Sequence, residues 1–453
     1  MTRSAAEIAR KDQQSLFHPF TAITDLVAEG PTVMVGGQGV RVTDAEGREY
    51  LDGMAGLWCV NMGYGRREIT QAIAQQSERL SFFHSFNGMT SDVVAECADL
   101  LLQKAPVPMA RIFFGASGSD ANETQIKLIW YYNNLRGQPQ KKKIIARWNG
   151  YHGSGVATAS LTGLPGMHAL FDLPQGPILH VSTPHHYRKA PAGMSERDFS
   201  RSLATELEEL IAREGADTIA AFFAEPVMGA GGLIAPPEGY FEEIVPILKR
   251  HDILLVLDEV VSGFGRLGTY WGAQAYGLEP DLLTAAKGLT SGYFPMSACF
   301  ISPKIWNVIE GEAKKAGLFG HGYTYSAHPV GAAAALATLE LIDDLAVVDN
   351  VARVGPYLHN AMRERLGQHH AVGEIRGRGL MIGIELVKDR AIKEAFPMQD
   401  RTGRKVLKAA AQRGLITRAL GDTLVFAPPL VINEVEIDEL VDKFAAAVGD
   451  VLD

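Results

Sequence analysis

The sequence predicts an α/β protein, with a large domain on a mostly parallel central sheet and a second, smaller α+β domain. Three observations carry this reading. The chain has 453 residues, enough for two or three domains at about 150 residues each. Between Lys143 and Ala286, short apolar strands alternate with helices, the pattern of a parallel sheet covered on both faces. After about residue 330 that alternation gives way to a long helix and then a mixture of helices and short strands.

The elements follow in chain order. Residues 31–52 read as short strands with turns: Thr32 to Val35, a break at Gly36-Gly37, Val40 to Val42, and a turn from Asp44 to Gly47. Residues 91–104 and 119–136 carry helical patterning, with a strand candidate, Arg111 to Phe114, between them. Lys143 to Ala146 is the next strand. A helix is expected from Ser200 to Glu214, because Leu203, Leu207, Leu210 and Ile211 share one face and Gly215 stops it. Thr218 to Ala224 follows as a strand, Tyr240 to Arg250 as a helix, and Ile253 to Leu257 as a fully apolar strand. Asp281 to Ala286 is a further short strand. A long helix, Val330 to Leu345, then leads into helix, strand, helix, strand and a final helix near residues 434–452.

Composition excludes several classes of function. Hydrophobic residues are 47 % and charged residues 21 %, enough to bury a large core, so disorder is ruled out as the main state. The net charge of −9 repels phosphate backbones, and no nucleic-acid partner is expected. Apolar runs such as Val330 to Ala337 fall far below the roughly 20 residues of a spanning helix, so no membrane partner is expected. The N-terminus, from Met1-Thr2-Arg3-Ser4 through Glu7, Arg10, Lys11 and Asp12, lacks the apolar core of a signal peptide. Cys59, Cys97 and Cys299 provide neither a disulfide framework nor metal-ligand spacing. A reducing cytoplasm and no metal are the expectation. Glycine, at 47 residues, invites a search for loops that bring backbone close to a ligand.

Four features carry chemistry. Gly115-Ala116-Ser117-Gly118-Ser119-Asp120-Ala121-Asn122-Glu123 follows a strand and opens a helix. Its backbone N–H groups, with the hydroxyls of Ser117 and Ser119, suit a phosphate cradle, or else an ordinary capped helix. Asp258 ends an apolar strand, where parallel sheets bind ligands; it is a site residue or a cap for the next turn. Lys287 follows Ala285-Ala286 at another strand end. A lysine there is a Schiff-base nucleophile or a side chain snorkelling to solvent. Tyr151, in Asn149-Gly150-Tyr151-His152-Gly153, can stack on a planar ring or pack as an ordinary tyrosine. Together the four match the needs of pyridoxal phosphate: a phosphate cradle, an amine for the aldehyde, an anion for the pyridine nitrogen and a flat neighbour for the ring.

On these residues the sequence resembles the class III aminotransferases, fold type I pyridoxal-phosphate enzymes, from Tyr50-Leu51-Asp52 to the final helix. The most specific stretch is Leu254-Leu255-Val256-Leu257-Asp258-Glu259-Val260-Val261-Ser262-Gly263-Phe264-Gly265-Arg266-Leu267-Gly268. Pro280-Asp281 and Ala286-Lys287-Gly288-Leu289-Thr290-Ser291-Gly292 resemble the lysine signature that follows it. Gly56-Leu57-Trp58, Arg147 to Gly153, Glu225 to Gly232 and His321-Gly322-Tyr323-Thr324 resemble the ω-transaminase branch that uses pyruvate.

The resemblance implies a large cofactor domain over residues 76–329 and a small domain made from residues 1–75 and 330–453. It implies pyridoxal phosphate as cofactor, passing through pyridoxamine phosphate. Lys287 would form the Schiff base and shuttle protons, and Asp258 would pair with the pyridine nitrogen. Tyr151 would stack on the ring; Ser117, Gly118 and Ser119 would hold the phosphate; Glu225 would lie near the cofactor hydroxyl. His152 and Val260 complete the implied cofactor set. Thr324 would reach the phosphate of a neighbouring subunit, making the enzyme a homodimer, with a tetramer also open. Arg418 would bind the keto-acid carboxylate, and Trp58, Tyr151, Phe20 and Phe86 would line the substrate pocket. Where related branches carry an arginine after the aromatic-His-Gly, this chain has Ser154, which favours a neutral amine donor. The expected reaction moves an amino group from an amine or ω-amino acid to pyruvate by a ping-pong mechanism. The alternatives are a dialkylglycine-type decarboxylase, or an aminotransferase with another keto-acid acceptor.

Overall fold

The computed structural model describes residues 4–174 and 176–453. Met1 to Arg3, the start of the N-terminal stretch read above, lie outside the described residues. Strands β1 (Met34–Gln38), β2 (Arg41–Asp44) and β3 (Glu49–Asp52) form an antiparallel meander. The large sheet contains β4 (Arg111–Gly115), β5 (Lys143–Arg147), β6 (Ile178–Val181), β7 (Ile219–Ala224), β8 (Leu254–Asp258), β9 (Leu282–Ala285) and β10 (Ser297–Ile301). Its order is β4-β10-β9-β8-β7-β5-β6, and only β10 runs against its neighbours. The carboxyl ends of β5, β7, β8 and β9 therefore open on one edge, where side chains from four strands can converge.

The central strands are apolar on both faces because both faces are covered. Alternate residues divide between two cores, as the two-residue period of a strand requires. Phe222, Leu255 and Leu257 meet the helices Glu196–Glu214 and Tyr240–Arg250 through Leu207, Ile211, Ile244 and Leu248. Ala221, Phe223 and Val256 meet the helix Gly118–Leu135 through Ile126 and Ile129.

The two chain ends share a sheet. Strand β13 (Leu415–Ile416) pairs in parallel with β3, giving the order β1-β2-β3-β13. Strands β11 (Val372–Arg378), β12 (Met381–Leu386), β14 (Arg418–Leu420) and β15 (Thr423–Phe426) form a separate antiparallel sheet. The long helix expected at residue 330 runs from Pro329 to Asp344 and packs on the helices Arg67–Leu80 and Asp92–Gln103.

The sequence reading departs from the fold at several points, one being the break expected at Gly36-Gly37, since β1 runs through both glycines. The helix expected from Ser200 begins at Glu196, capped by the Ser195 hydroxyl; its first turn is polar and carries no apolar periodicity. Strands β6 and β10 were not expected. The one strand foreseen after the long helix is the hairpin β11–β12, and the next is the three short strands β13, β14 and β15.

Candidate active site

The edge formed by the strand ends opens into a cavity of about 370 Å³, the size of a small-molecule site. Trp58, Ser117, Gly118, Ser119, Tyr151, His152, Glu225, Asp258, Val260 and Lys287 all line it. Ten of the fourteen residues singled out from sequence thus meet in one space, from six separate chain segments.

Asp258 is the last residue of β8, and its carboxylate is held on both oxygens. Oδ2 accepts from Asn122 Nδ2 at 2.8 Å and His152 Nδ1 at 2.9 Å; Oδ1 accepts from the Val260 N–H at 3.1 Å. Asp258 lines the cavity and also caps the next turn through the Val260 N–H. Asn122 also donates to the His152 carbonyl at 2.8 Å, locking two loops to one carboxylate. With its Nδ1 donating, His152 leaves Nε2 as a buried acceptor without a partner among the described residues.

Lys287 follows β9 and enters a single helical turn, Lys287–Thr290, at φ +45°. A non-glycine residue there is strained, a condition that clusters at functional sites. Its Nζ lies 5.3 Å from the centroid of the Trp58 ring. Burial lowers the amine's pKa, with Asp258 the largest opposing influence. The lysine does not snorkel away; its amine ends inside the site.

The start of the helix Gly118–Leu135 is both capped and left with open N–H donors. Ser117 and Asp120 form a reciprocal cap, with Asp120 N–H to Ser117 Oγ at 3.1 Å and Ser117 N–H to Asp120 Oδ1 at 3.0 Å. The Ala116 N–H also goes to Asp120, at 2.9 Å. The N–H groups of Gly118 and Ser119 make no hydrogen bond among the described residues, so they are the donors left for an anion. Ser119 Oγ accepts from the Ser154 N–H at 3.2 Å and keeps its proton to donate. At Gly118, an added Cβ would lie 2.9 Å from Val260 Cγ2, so glycine is what lets Val260 close on the helix start.

Glu225, just past β7, ties two loops together. It accepts from the Tyr151 N–H at 3.0 Å and the Gly229 N–H at 2.7 Å. Burial raises its pKa. The buried Arg147 donates to its carbonyl at 2.7 Å. Tyr151 is half-buried, and Phe20 meets its ring edge-on at 6.5 Å. Phe20 itself is largely exposed and does not line the cavity.

Arg418, on β14, is not among the residues lining the cavity and stands just outside it, its guanidinium carbon 5.4 Å from the ring centroid of Trp58, which does line it. Arg418 has no carboxylate partner among the described residues. Burial lowers its pKa. Phe86 and Thr324 lie outside the cavity of this chain and are exposed; Phe86 packs beside Gly322, so the two share one surface.

Sequence reasoning missed Asn122, although it stands within the quoted helix-start motif; nothing in the local pattern shows that it reaches a carboxylate 136 residues away. It also missed Cys59 and Ala230, which line the cavity. Arg266, within the most specific motif, has no place in the cavity. It is fully buried, donates to the Pro428 carbonyl and to Asn61 Oδ1 at 2.8 Å, and is pushed down to about 9 by burial.

The residues fit pyridoxal phosphate: open N–H donors at a helix start, a desolvated amine, an anchored carboxylate and an aromatic ring surround one cavity. The family model for class-III aminotransferases matches residues 26–448. The chain belongs to that family, and pyridoxal phosphate is its cofactor. It is 49 % identical to an uncharacterised aminotransferase of Sinorhizobium fredii, over 100 % of this chain and 98 % of the relative. It is 44 % identical to a diaminobutyrate–2-oxoglutarate transaminase of Halomonas elongata, over 99 % of this chain and 97 % of that protein. Among solved structures it superposes on the omega transaminase of Pseudomonas jessenii in complex with PMP, with a TM-score of 0.96, 43 % identity and 98 % of each chain covered.

Proposed function

We propose that this aminotransferase is an ω-transaminase that moves an amino group from a neutral amine or ω-amino acid to pyruvate. The observation that carries the reading is the Trp58 indole, which lies close to both the Lys287 amine and the Arg418 guanidinium. An apolar wall suits a neutral donor, and a cation without an ion-pair partner suits the carboxylate of the acceptor, so one site serves both.

Pyridoxal phosphate, when bound, supplies the electron sink and carries the amino group between the two substrates. In this reading Lys287 would take a proton at its Nζ from the donor's amine carbon and pass it to the cofactor's aldehyde carbon within the same half-reaction, and would run that transfer in reverse with the keto acid. Its lowered pKa keeps the amine available as a base. Asp258, oriented by Asn122 and His152, holds a proton on the pyridine nitrogen. Gly118 and Ser119 bind the phosphate, with Ser117 capping their helix; Tyr151 covers one ring face, and His152, Val260 and Glu225 complete the walls. Arg418 grips the keto-acid carboxylate and swings aside for the donor. Thr324 and Phe86, exposed on this chain, face the site of a second copy, so a homodimer is the working unit. The cytoplasm is its expected place. No helix among the described residues is long and apolar enough to cross a membrane.

The test is a panel of aryl amines, diamines and ω-amino acids with pyruvate, read as alanine formed. Turnover with parallel double-reciprocal plots is expected; intersecting plots count against the mechanism. The Halomonas elongata relative, whose name carries 2-oxoglutarate, motivates the competing acceptor. Glutamate formed in preference to alanine selects it. Carbon dioxide released from a dialkyl amino acid selects the decarboxylase.

A further inference from the structure

Trp58 and Arg418 come from opposite ends of the chain, yet their side chains meet. The segment that carries Trp58 is strained: Ala55 has φ +47°, Gly56 +66° and Trp58 +60°. Two non-glycine residues in the left-handed region within one short turn need something to hold them there.

Asp52 supplies the hold. Its side chain is buried. Oδ1 accepts from the Met54 N–H at 2.8 Å, and Oδ2 accepts from the Gly56 N–H at 2.6 Å and the Tyr64 hydroxyl at 2.7 Å. The Trp58 and Cys59 N–H groups close the turn onto the Met54 and Ala55 carbonyls. Tyr64 is fixed in turn by close packing, since a Cβ on Gly37 would lie 2.7 Å from its Cγ. Burial, with Asp52 second, raises the pKa of the Tyr64 hydroxyl, so it stays protonated and donates.

Asp52 and its neighbour Gly53 also hold the strand that leads to Arg418. Asp52 pairs with Ile416 across β3 and β13. The Gly53 N–H donates to the Ile416 carbonyl at 2.9 Å, and its carbonyl accepts from the Ala427 N–H at 2.7 Å. No side chain fits at residue 53, where a Cβ would come 2.7 Å from the Ile416 oxygen and 2.9 Å from Phe426 Cδ1. Asp52-Gly53 is therefore the joint from which both selectivity residues are hung.

We infer that Asp52, with Tyr64, is a positioning residue for substrate choice: it holds the Trp58 indole in register with Arg418 and so sets which amines the site accepts. This rests on the ω-transaminase reading of the site. It touches neither substrate nor cofactor itself.

The test labels the holoenzyme with 5-fluorotryptophan and records fluorine NMR. The chain has five tryptophans, and the Trp58 line is the one lost in Trp58→Gly. Asp52→Asn and Tyr64→Phe should each move or broaden that line and leave the other four in place. In the same variants, KM for a bulky aryl amine relative to a small donor should change by about tenfold for Asp52→Asn, the scale of one hydrogen bond to a charged group, and by less for Tyr64→Phe. With Trp58→Gly as background, Asp52→Asn should no longer change donor preference. An unmoved Trp58 line in both variants overturns the inference, as does an equal change in preference with and without Trp58. Uniform movement of all five lines also overturns it, because the role is then general stability. If the wild type turns over no amine with pyruvate, the proposed function fails, while the fluorine spectra still decide the role of Asp52.

Discussion

At the floor of the cavity, Asp258 ends β8 and Lys287 follows the adjacent strand β9, the two strands being paired in register through Asp258 and Thr284. Every strand residue from Leu254 to Ala285 in β8 and β9 is buried, and Asp258 has donors on both oxygens. At the rim, Trp58 rides a strained turn and Arg418 a three-residue strand, and neither has an ion-pair or hydrogen-bond partner for its side-chain nitrogen among the described residues. Asp258 at the floor is hydrogen-bonded on both oxygens, although Asn122 Oδ1 and His152 Nε2 beside it stay unpartnered, whereas the side chains at the rim make no such bonds among the described residues. Groups that must keep one protonation state and one orientation are fixed by hydrogen bonds in a packed sheet. Trp58 is held instead by apolar packing against Met54, Val227 and Val425, and in the proposed reading it and Arg418 keep their polar atoms free for two different substrates.

If that division is right, damage at the floor should stop all chemistry, and damage at the rim should redirect it. Lys287→Ala should lower turnover by about 10³-fold or more with every donor, together with the visible absorbance of the bound cofactor. Turnover near the wild-type rate would remove Lys287 as the proton carrier. Asp258→Asn should retain cofactor but lower kcat roughly 100-fold for all substrates alike, because stabilisation at the reacting centre is lost. A loss confined to one substrate would place Asp258 with the rim instead. Arg418→Ala should raise KM for pyruvate by about tenfold or more, the scale of a lost charge-assisted hydrogen bond, and change neutral amines little. An equal loss on both would break the comparison at its other end.

Two smaller effects sharpen it. Gly118→Ala should destabilise the protein by about 1–3 kcal/mol, the scale of overpacking, because the new methyl meets Val260 at 2.9 Å. Denaturant unfolding measures this, and an unchanged midpoint would mean that Val260 yields easily. Lys287 also has a pH signature. Its pKa is lowered by burial, so its neutral, nucleophilic form exists at lower pH than that of a surface lysine. Borohydride trapping of pyridoxal phosphate on the cofactor-free protein should therefore reach half-maximum at Lys287 at lower pH than at exposed lysines, read by peptide mapping. Coincident midpoints would show that burial leaves the amine unperturbed.

Much of the floor is legible in sequence. The run ending at Asp258 is continuously apolar up to that carboxylate, the run ending at Ala286 is apolar but for Thr284 before Lys287, and that contrast is local. The phosphate loop is legible as small residues before a helix, although only the structure separates the Ser117–Asp120 cap from the free N–H groups of Gly118 and Ser119. Asn122 was on the page as a letter without a role, because its function depends on reaching Asp258 across the sheet. Strands β6 and β10 escaped notice because they are short and their partners lie far along the chain; β10 is built into the sheet between β4 and β9. The helix before β7 was read four residues short because a capping serine and a polar first turn carry no apolar period.

What the sequence determined by itself was therefore the class of fold and the chemical kit: a two-faced parallel sheet, an amine, a carboxylate, an anion-binding helix start and a family signature. Periodicity, capping and glycine placement act over a few residues and can be read along a line. Only the tertiary structure decided how that kit is aimed. The pairing of β13 with β3 brings the two chain ends together, the Asp52-Gly53 joint fixes the turn at Trp58, and the indole then meets both Lys287 and Arg418. Those contacts depend on strand register and loop closure between distant segments, and no local pattern encodes a distance between residues that far apart.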